Sequence, residues 1–293
     1  MIKKLTVFTS TFNRAYCLHQ VYDSLCRQTS KDFEWLVIDD GSTDQTRNLV
    51  AQWIAEDVIQ IIYHYKENGG MHTGHNKAYE LIQTEFNVCI DSDDFMPDDA
   101  VEIIIKETAN LDPQYSGIIG LDATKDRTII GTKIPDYLTH CKLNELYSKH
   151  GVKGDKKLVY RSSITAKYPA YPEFKGEKFV PLDYKCLLID QDYDLKPVNE
   201  ILCIVEYQLD GSTLNIFKQY RKNPRGFAVS RQSRILYGSS FQERFKNAVH
   251  LVSSFLFVKD RALFKQTGKP ILVFLAFPFG LLLNLYVRIK TQS

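Results

Sequence analysis

The run Val88-Cys89-Ile90-Asp91-Ser92-Asp93-Asp94 drives an apolar stretch into three carboxylates within four residues. Like charges at that density repel, so the turn is either a hydrated surface feature or shaped around a cation. Hard divalent ions such as Mg2+ and Mn2+ prefer carboxylate oxygens and keep coordination positions for substrate phosphates. Asp91 and Asp93 can converge on one ion if the turn is tight, while Asp94 reads as the start or cap of a helix over "MPDDAVEIIIKE". A second acidic pair, Asp39-Asp40, ends the apolar run "FEWLVIDD". A carboxylate there can accept from a ribose or a base N–H, or serve a turn, which "DDGSTD" also suits. "KENGGMHTGHNKA" brings Gly69, Gly70 and Gly74 to a helix start, whose free N–H groups favour phosphate. His72 and His75 lack the thiolate or third histidine that would make them a convincing metal pair. A phosphate contact by His75 and an ordinary helix-surface histidine both fit. The absence of G-x-x-x-x-G-K-[ST] leaves a P-loop ATPase without support.

These clusters need strands to carry them. "LTVFTS", "FEWLVIDD", "VIQIIYHYK" and "FNVCIDSDD" read as four strands, alternating with amphipathic helices over about the first hundred residues. Ser42 or Thr43 is the expected cap of the second helix. Continuous rather than alternating apolar strands imply a sheet covered on both faces. The expected fold class is therefore α/β, a Rossmann-like, mostly parallel sheet flanked by helices, with ligands beyond the carboxyl ends of the strands. Residues 10–14, 39–44, 66–75 and 91–94 would then line one crevice. Past residue 110 the rhythm breaks. "GIIGLDATKD" and "RTIIGTKIP" read as strands, "LTHCKLNELYSKHG" as a helix, "EILCIVEYQLDGST" as strand and turn, and two long helical stretches follow from "KQYRKNPRG".

Composition is that of a globular chain: 293 residues, 44% hydrophobic, 25% charged, net charge +2. That balance argues against wholesale disorder and against a nucleic-acid partner. Six cysteines without a C-x-x-C pair read as reduced thiols of a reducing compartment. "MIKKLTVFTS" has too short an apolar core for a signal peptide, so the catalytic body is expected in the cytoplasm. The stretch Pro270 to Val287 is nearly all apolar and is flanked by Lys259, Arg261, Lys265 and Lys269 before and by Arg288 and Lys290 after. It is marginal for a straight span, which needs roughly 20 apolar residues, and Pro278, Gly280 and Asn284 interrupt it. A basic-apolar-basic segment suits peripheral attachment to an anionic membrane surface, here expected on the inner face of the cell membrane. A helix buried in a core or an oligomer interface is the other reading.

Taken in series, "TSTFNRAYCLHQVYDSLCRQT", "FEWLVIDDGSTDQT", "ENGGMHTGHNKA" and "CIDSDDFMPDD" resemble the family-2 glycosyltransferases with the GT-A fold. The likeness covers residues 1 to about 100 in order and spacing, and continues in outline through "GEKFVPLDY" and "ILCIVEYQLDGST". It implies an inverting transfer of a sugar from a nucleotide donor, usually UDP-linked, with Mn2+ or Mg2+ on the diphosphate, to a glycan or lipid-linked acceptor of a cell-surface polysaccharide. By the same resemblance Ser10, Phe12 and Arg14 would border the nucleotide, although proline often stands where Ser10 is. Asp40 and Asn68 would read the base, and His75 occupies a place where the family often has an arginine. Asp91 would hold ribose or metal, Ser92 would lie against the donor, and Asp93 would hold the metal. The carboxylate that accepts the acceptor's hydroxyl proton falls to Asp183, with Glu177 as second choice; the family's Glu-Asp pair reads Leu182-Asp183 here. The implied layout is a GT-A domain over 1–215, with 1–100 on the nucleotide-sugar side and 101–215 on the acceptor side, then a helical region over 216–293. Two other functions compete. One is a nucleotide-sugar-binding protein without turnover, favoured by Leu182. The other is a nucleotidyltransferase, which would want a glycine-bearing loop after the first strand, and "TSTFNRAY" has no glycine.

Overall fold

The computed structural model describes residues 3–206, 216–260, 263 and 267–292. Runs of β-branched and aromatic residues build the first strands: β1 (Leu5–Thr11), β2 (Phe33–Asp39), β3 (Ile61–Tyr65) and β4 (Phe86–Cys89). β2 is buried along its whole length, the mark of a strand covered on both faces. Helices α1 (His19–Cys26), α2 (Thr46–Glu56) and α3 (Met71–Leu81) connect these strands. α2 differs from expectation at its start. Neither Ser42 nor Thr43 caps it; Asp44 lies two residues ahead of the helix and accepts from the Thr46 backbone N–H at 3.0 Å and from its hydroxyl.

Parallel register aligns the strand ends. Leu5 pairs with both Phe33 and Phe86, and Thr11 with Asp39, which in turn pairs with Tyr65. The polar residues that follow each strand therefore emerge at one edge. Tyr22, Trp35 and Trp53 stack beneath, with Tyr22 and Trp53 centroids 4.4 Å apart, and Trp35 donates its indole N–H to Thr9 Oγ1 at 3.1 Å.

Beyond α4 (Ala100–Thr108) the sheet gains β5 (Tyr115–Ala123), β6 (Lys156–Arg161) and β7 (Asp194–Ile204). The seven-stranded order is β3-β2-β1-β4-β6-β5-β7, and β6 alone runs antiparallel to its neighbours. Pro197 is accommodated because β7 is an edge strand. "RTIIGTKIP" forms no strand. A turn from Thr124 to Thr128, with Arg127 at φ +63°, folds it back, and one bridge between Ala123 and Ile129 is its only ladder contact among the described residues. "LTHCKLNELYSKHG" is helical only as α5 (Leu143–Ser148), because Cys141 pairs instead with Leu195. The turn expected after "EILCIVEY" lies outside the described residues. α6 (Ser162–Lys167) and α7 (Asp183–Asp192) complete the middle region.

Two compact units emerge. The first comprises residues 1–169 and 192–208, and the second residues 170–191 and 209–293. The second unit contains most of α7, then α8 (Ile216–Lys222), α9 (Pro224–Tyr237), α10 (Phe241–Val258) and α11 (Pro270–Lys290). Ser240 caps α10 by accepting from the Glu243 N–H at 3.1 Å. α11 runs unbroken through Pro278. Val273, Ala276, Gly280, Asn284 and Val287 form its buried stripe. Gly280 and Asn284 are thus packing devices: a Cβ on Gly280 would stand 2.4 Å from Val252, and Asn284 donates to the Ser253 carbonyl at 3.0 Å.

Candidate active site

The edge at the carboxyl ends of β1, β2 and β4 carries most of the expected site. Two loops are laced together there. Asn13, at φ +53°, accepts from the Thr43 N–H at 2.7 Å, while its own N–H donates to Ser42 Oγ at 2.9 Å. Phe12 is left exposed, and Arg14 is held beside the acidic turn, its guanidinium 4.0 Å from Asp93. Ser10, next to last in β1, lies against α3, where Gly74 permits the approach; a Cβ at residue 74 would meet Ser10 Oγ at 2.1 Å.

Asp40 is buried and organises the glycine loop. One carboxylate oxygen accepts from Lys66 and from the Gly69 N–H at 3.0 Å; the other accepts from the Gly70 N–H at 2.7 Å and from Asn68 at 3.1 Å. Asn68 also donates to the Asp40 carbonyl at 2.7 Å. Asp40 and Asn68 hydrogen-bond each other and form a cradle at the start of α3. Asp39, equally buried, accepts from the Ser42 N–H at 2.7 Å and the Tyr63 hydroxyl at 2.6 Å. His75 is buried edge-on to Phe8, centroids 5.1 Å apart, with Nδ1 3.1 Å from the Met71 carbonyl. It is a core histidine at the helix start rather than a surface one.

In the acidic turn Asp91 is exposed, Asp93 partly so, and Ser92 and Asp94 are buried. The Asp94 N–H closes the turn on the Asp91 carbonyl at 3.0 Å. Asp94 does not start a helix. It faces β7, accepting from the Glu206 N–H at 3.2 Å and from the Cys203 thiol at 3.7 Å. Burial pushes its carboxyl up to about 7, against the pull of Lys157 and helped by Asp91. Sequence reasoning missed Lys157 and Asp122. Lys157 lies opposite Gly120 in the β5–β6 ladder, and Asp122 lies opposite Cys203 in the β5–β7 ladder. Burial alone would lower the Lys157 ammonium's pKa, but the Cys203, Asp122, Asp94 and Asp91 groups around it outweigh burial and hold it well above the usual range. Asp122 is raised by burial, and its Oδ1 has no hydrogen-bond partner among the described residues. The signal available was a pair of lysines, Lys156-Lys157, opening an otherwise apolar strand.

Among the described residues no group of three or more His, Cys, Asp or Glu side chains gathers into a metal cage. Two hard carboxylates, Asp91 exposed and Asp93 partly so, suit a Mg2+ or Mn2+ ion that completes its coordination with substrate phosphates rather than with protein.

The two base candidates lie in the second unit. Asp183 is the first residue of α7. Its Oδ2 accepts from Arg234 Nε at 2.7 Å and from Arg234 Nη2, and its Oδ1 accepts from Ser230 at 3.1 Å. Glu177 is almost wholly covered and receives the backbone N–H groups of Arg225 and Gly226, each at 2.9 Å from Oε2. It is the anion at the N-terminus of α9, where the helix dipole favours negative charge.

Residues 6–163 match the profile of a family described as Glycosyl transferase family 2. Over 104 residues the chain is 31% identical to the glycosyltransferase GlyA of Streptococcus pneumoniae, a match covering 36% of this chain and 15% of that protein. It is 30% identical over 98 residues to a putative teichuronic acid biosynthesis glycosyltransferase of Bacillus subtilis, covering 33% of this chain and 39% of that one. The chain thus matches well under two thirds of these relatives' lengths. Among solved structures, S. aureus TarS 1-349 in complex with UDP-GlcNAc superposes with a TM-score of 0.58 at 15% identity, over 94% of this chain and 89% of that one. A Pyrobaculum calidifontis mannosyltransferase in complex with GDP-Man and Mn2+ gives 0.60 at 16% identity, over 98% and 88%. At those identities the likeness speaks for the fold, which is GT-A-like.

Proposed function

The chain belongs to glycosyl transferase family 2, a family of sugar-transferring enzymes, and we propose that it carries out an inverting transfer from a nucleotide sugar, UDP-linked, to a hydroxyl of a glycan or lipid-linked acceptor in cell-surface polysaccharide synthesis. The observation that carries this reading is the acidic turn itself. Asp91 and Asp93 stand at the carboxyl edge of a parallel sheet with a guanidinium already drawn to Asp93 at 4.0 Å, beside a helix start held open by Asp40. Names borne by relatives point the same way: a chondroitin synthase of Pasteurella multocida and a teichoic acid poly(glycerol phosphate) polymerase of Staphylococcus epidermidis are among them.

In this proposal residues 1–100 serve the donor, 101–215 the acceptor, and 216–293 form the helical region that meets the membrane. Ser10, Phe12 and Arg14 border the nucleotide, Asp40 and Asn68 shape its base pocket, and His75 supports the phosphate end. Asp93, with Asp91, would hold the divalent ion, and Ser92 abuts the donor. When bound, Mn2+ or Mg2+ supplies positive charge that stabilises the departing diphosphate. Asp183 accepts the hydroxyl proton of the acceptor as the new O–C1 bond forms and the bond from C1 to the diphosphate oxygen breaks. Glu177 is left as the second choice because its side chain is almost wholly covered and serves as the anion at the start of α9, whereas the Asp183 side chain is part-exposed. Asp183 keeps acceptor capacity on Oδ1, which receives one hydroxyl.

Calorimetric titration with UDP, with and without Mn2+, tests the reading. Binding should depend on the ion and weaken at least tenfold in Asp93→Ala; equal affinity in both proteins would overturn it. The Arg234 clamp on Asp183 favours a second reading, a donor-binding protein without turnover. Metal-dependent release of UDP from a nucleotide sugar separates the two.

A further inference from the structure

The second unit holds a cavity of about 340 Å3 among α8, α9 and α10, lined by Asp183, Tyr220, Arg231, Arg234, Lys246 and Asn247 together with Glu243 and apolar neighbours. Its charges do not balance. Arg234 is matched by Asp183 and by Glu243, the latter at 3.1 Å. Arg231 is half-buried and makes no ion pair with a carboxylate among the described residues. Its guanidinium donates to Asn247 Oδ1 at 2.9 Å and to the Tyr220 hydroxyl at 3.4 Å, and lies over the Tyr220 and Phe227 rings at 5.8 and 6.0 Å. Lys246 stands at the rim without an ion pair of its own among the described residues. Three cations thus face two carboxylates. A half-buried guanidinium whose hydrogen bonds go to neutral groups, with Asp183 acting on it only through space, is costly unless something anionic completes it. The neighbouring His250 registers the excess: burial first, then the charges of Arg231 and Lys246, push its imidazole down to about 3.

We propose that this cavity binds a phosphate group carried by the acceptor, with Arg231 as its main ligand and Lys246 as a second charge. A guanidinium fork matches phosphate oxygens in pairs, and an ammonium adds a point charge without demanding geometry. The net excess of one positive charge suits a phosphodiester or a singly charged phosphate. Because Asp183 lines the same cavity, a phosphate seated on Arg231 brings a hydroxyl a few bonds away to the proposed base. The inference rests on the reading of Asp183 as base and extends it to the chemical class of the acceptor. An anionic lipid headgroup offers the same chemistry, so the test separates the two sources.

The test uses the full chain with inorganic phosphate and glycerol phosphate as probes, against sodium acetate at equal ionic strength. Both phosphates should bind, and both should raise the His250 pKa seen by NMR by a unit or more, because an added anion offsets the Arg231 charge. Arg231→Met should weaken phosphate at least tenfold, Arg231→Lys less, and Lys246→Gln about threefold. Sedimentation with phosphatidylglycerol vesicles should be the same for wild type and Arg231→Met. Phosphate binding no stronger than acetate, or unchanged in Arg231→Met, overturns the site. Loss of vesicle binding in Arg231→Met overturns the acceptor assignment in favour of a lipid headgroup. UDP binding with Mn2+, measured on the same preparations, reports separately on the glycosyltransferase reading, whose failure would leave the phosphate results standing.

Discussion

A carboxylate acts according to what already holds it, and the acidic residues of this chain divide on that basis. Asp93 stands 4.0 Å from the Arg14 guanidinium, whereas Asp183 is clamped by Arg234 and Ser230. Asp183→Asn keeps the shape and removes the charge. It should lower transfer by at least a hundredfold while UDP binding, measured calorimetrically, stays within about twofold; turnover near wild type would end its assignment as base. Lys157 belongs to this scale too, since it is the cation among Asp91, Asp94 and Asp122. Lys157→Met leaves those carboxylates uncompensated and should cost about 2–4 kcal/mol of stability by chemical denaturation, with Lys157→Arg recovering part of it. His250 sets a pH dependence. Its folded-state value of about 3 lies below the ordinary 6.5, so the unfolded chain takes up the proton first and stability falls as pH drops from about 6.5 toward 3. The slope is at most about 1.4 kcal/mol per pH unit, and His250→Gln should flatten the denaturation midpoint between pH 6 and 4.5.

Elements were legible where local pattern and chemistry coincide. The first four strands are largely apolar runs that stop at polar residues of the proposed site, so β1 to β4 and the cluster from Ser10 to Asp93 could be read in order. β6 hid because it opens on Lys156 and Lys157, whose charges answer Asp122 on β5 and, for Lys157, Asp91 and Asp94 in the turn after β4. "RTIIGTKIP" misled because β-branched residues without a partner strand do not make a strand; Gly131 packs against the Lys153–Gly154 backbone instead. The links from Glu177 to α9 and from Asp183 to Arg234 span 48 to 51 positions and have no local signature. α11 shows the same limit. Two of its three supposed interruptions, Gly280 and Asn284, are its contacts with α10, so Gly280→Leu should clash with Val252 and destabilise the protein by about 1–3 kcal/mol in urea melts. An unchanged midpoint would mean that the helix pair does not pack this way.

At the scale of the molecule, α11 is long and apolar enough to cross a membrane by length and composition, yet one stripe of it is committed to α10. The opposite side exposes Ile271, Phe274, Leu275, Leu282 and Ile289, with Phe274 77% accessible. A helix so divided suits lying along a lipid surface with its outer side inserted. Replacing Phe274, Leu275 and Leu282 with serine spares the packed stripe and should move the protein from vesicle-bound to free in sedimentation; persistent co-sedimentation would dismiss that surface.

The chain also changes allegiance more than once: residues 170–191 leave for the second unit, 192–208 return as the edge strand, and 209 onward leave again. Interleaving of this kind forbids simple dissection. A protein cut short before α8 would retain α7 but lose Ser230 and Arg234, the residues that grip Asp183. The sheet unit and the helical unit therefore cannot be swapped between relatives as cassettes with a single junction; any hybrid must exchange all three crossings together, so whatever the helical unit contributes is inherited along with the loop that enters α7.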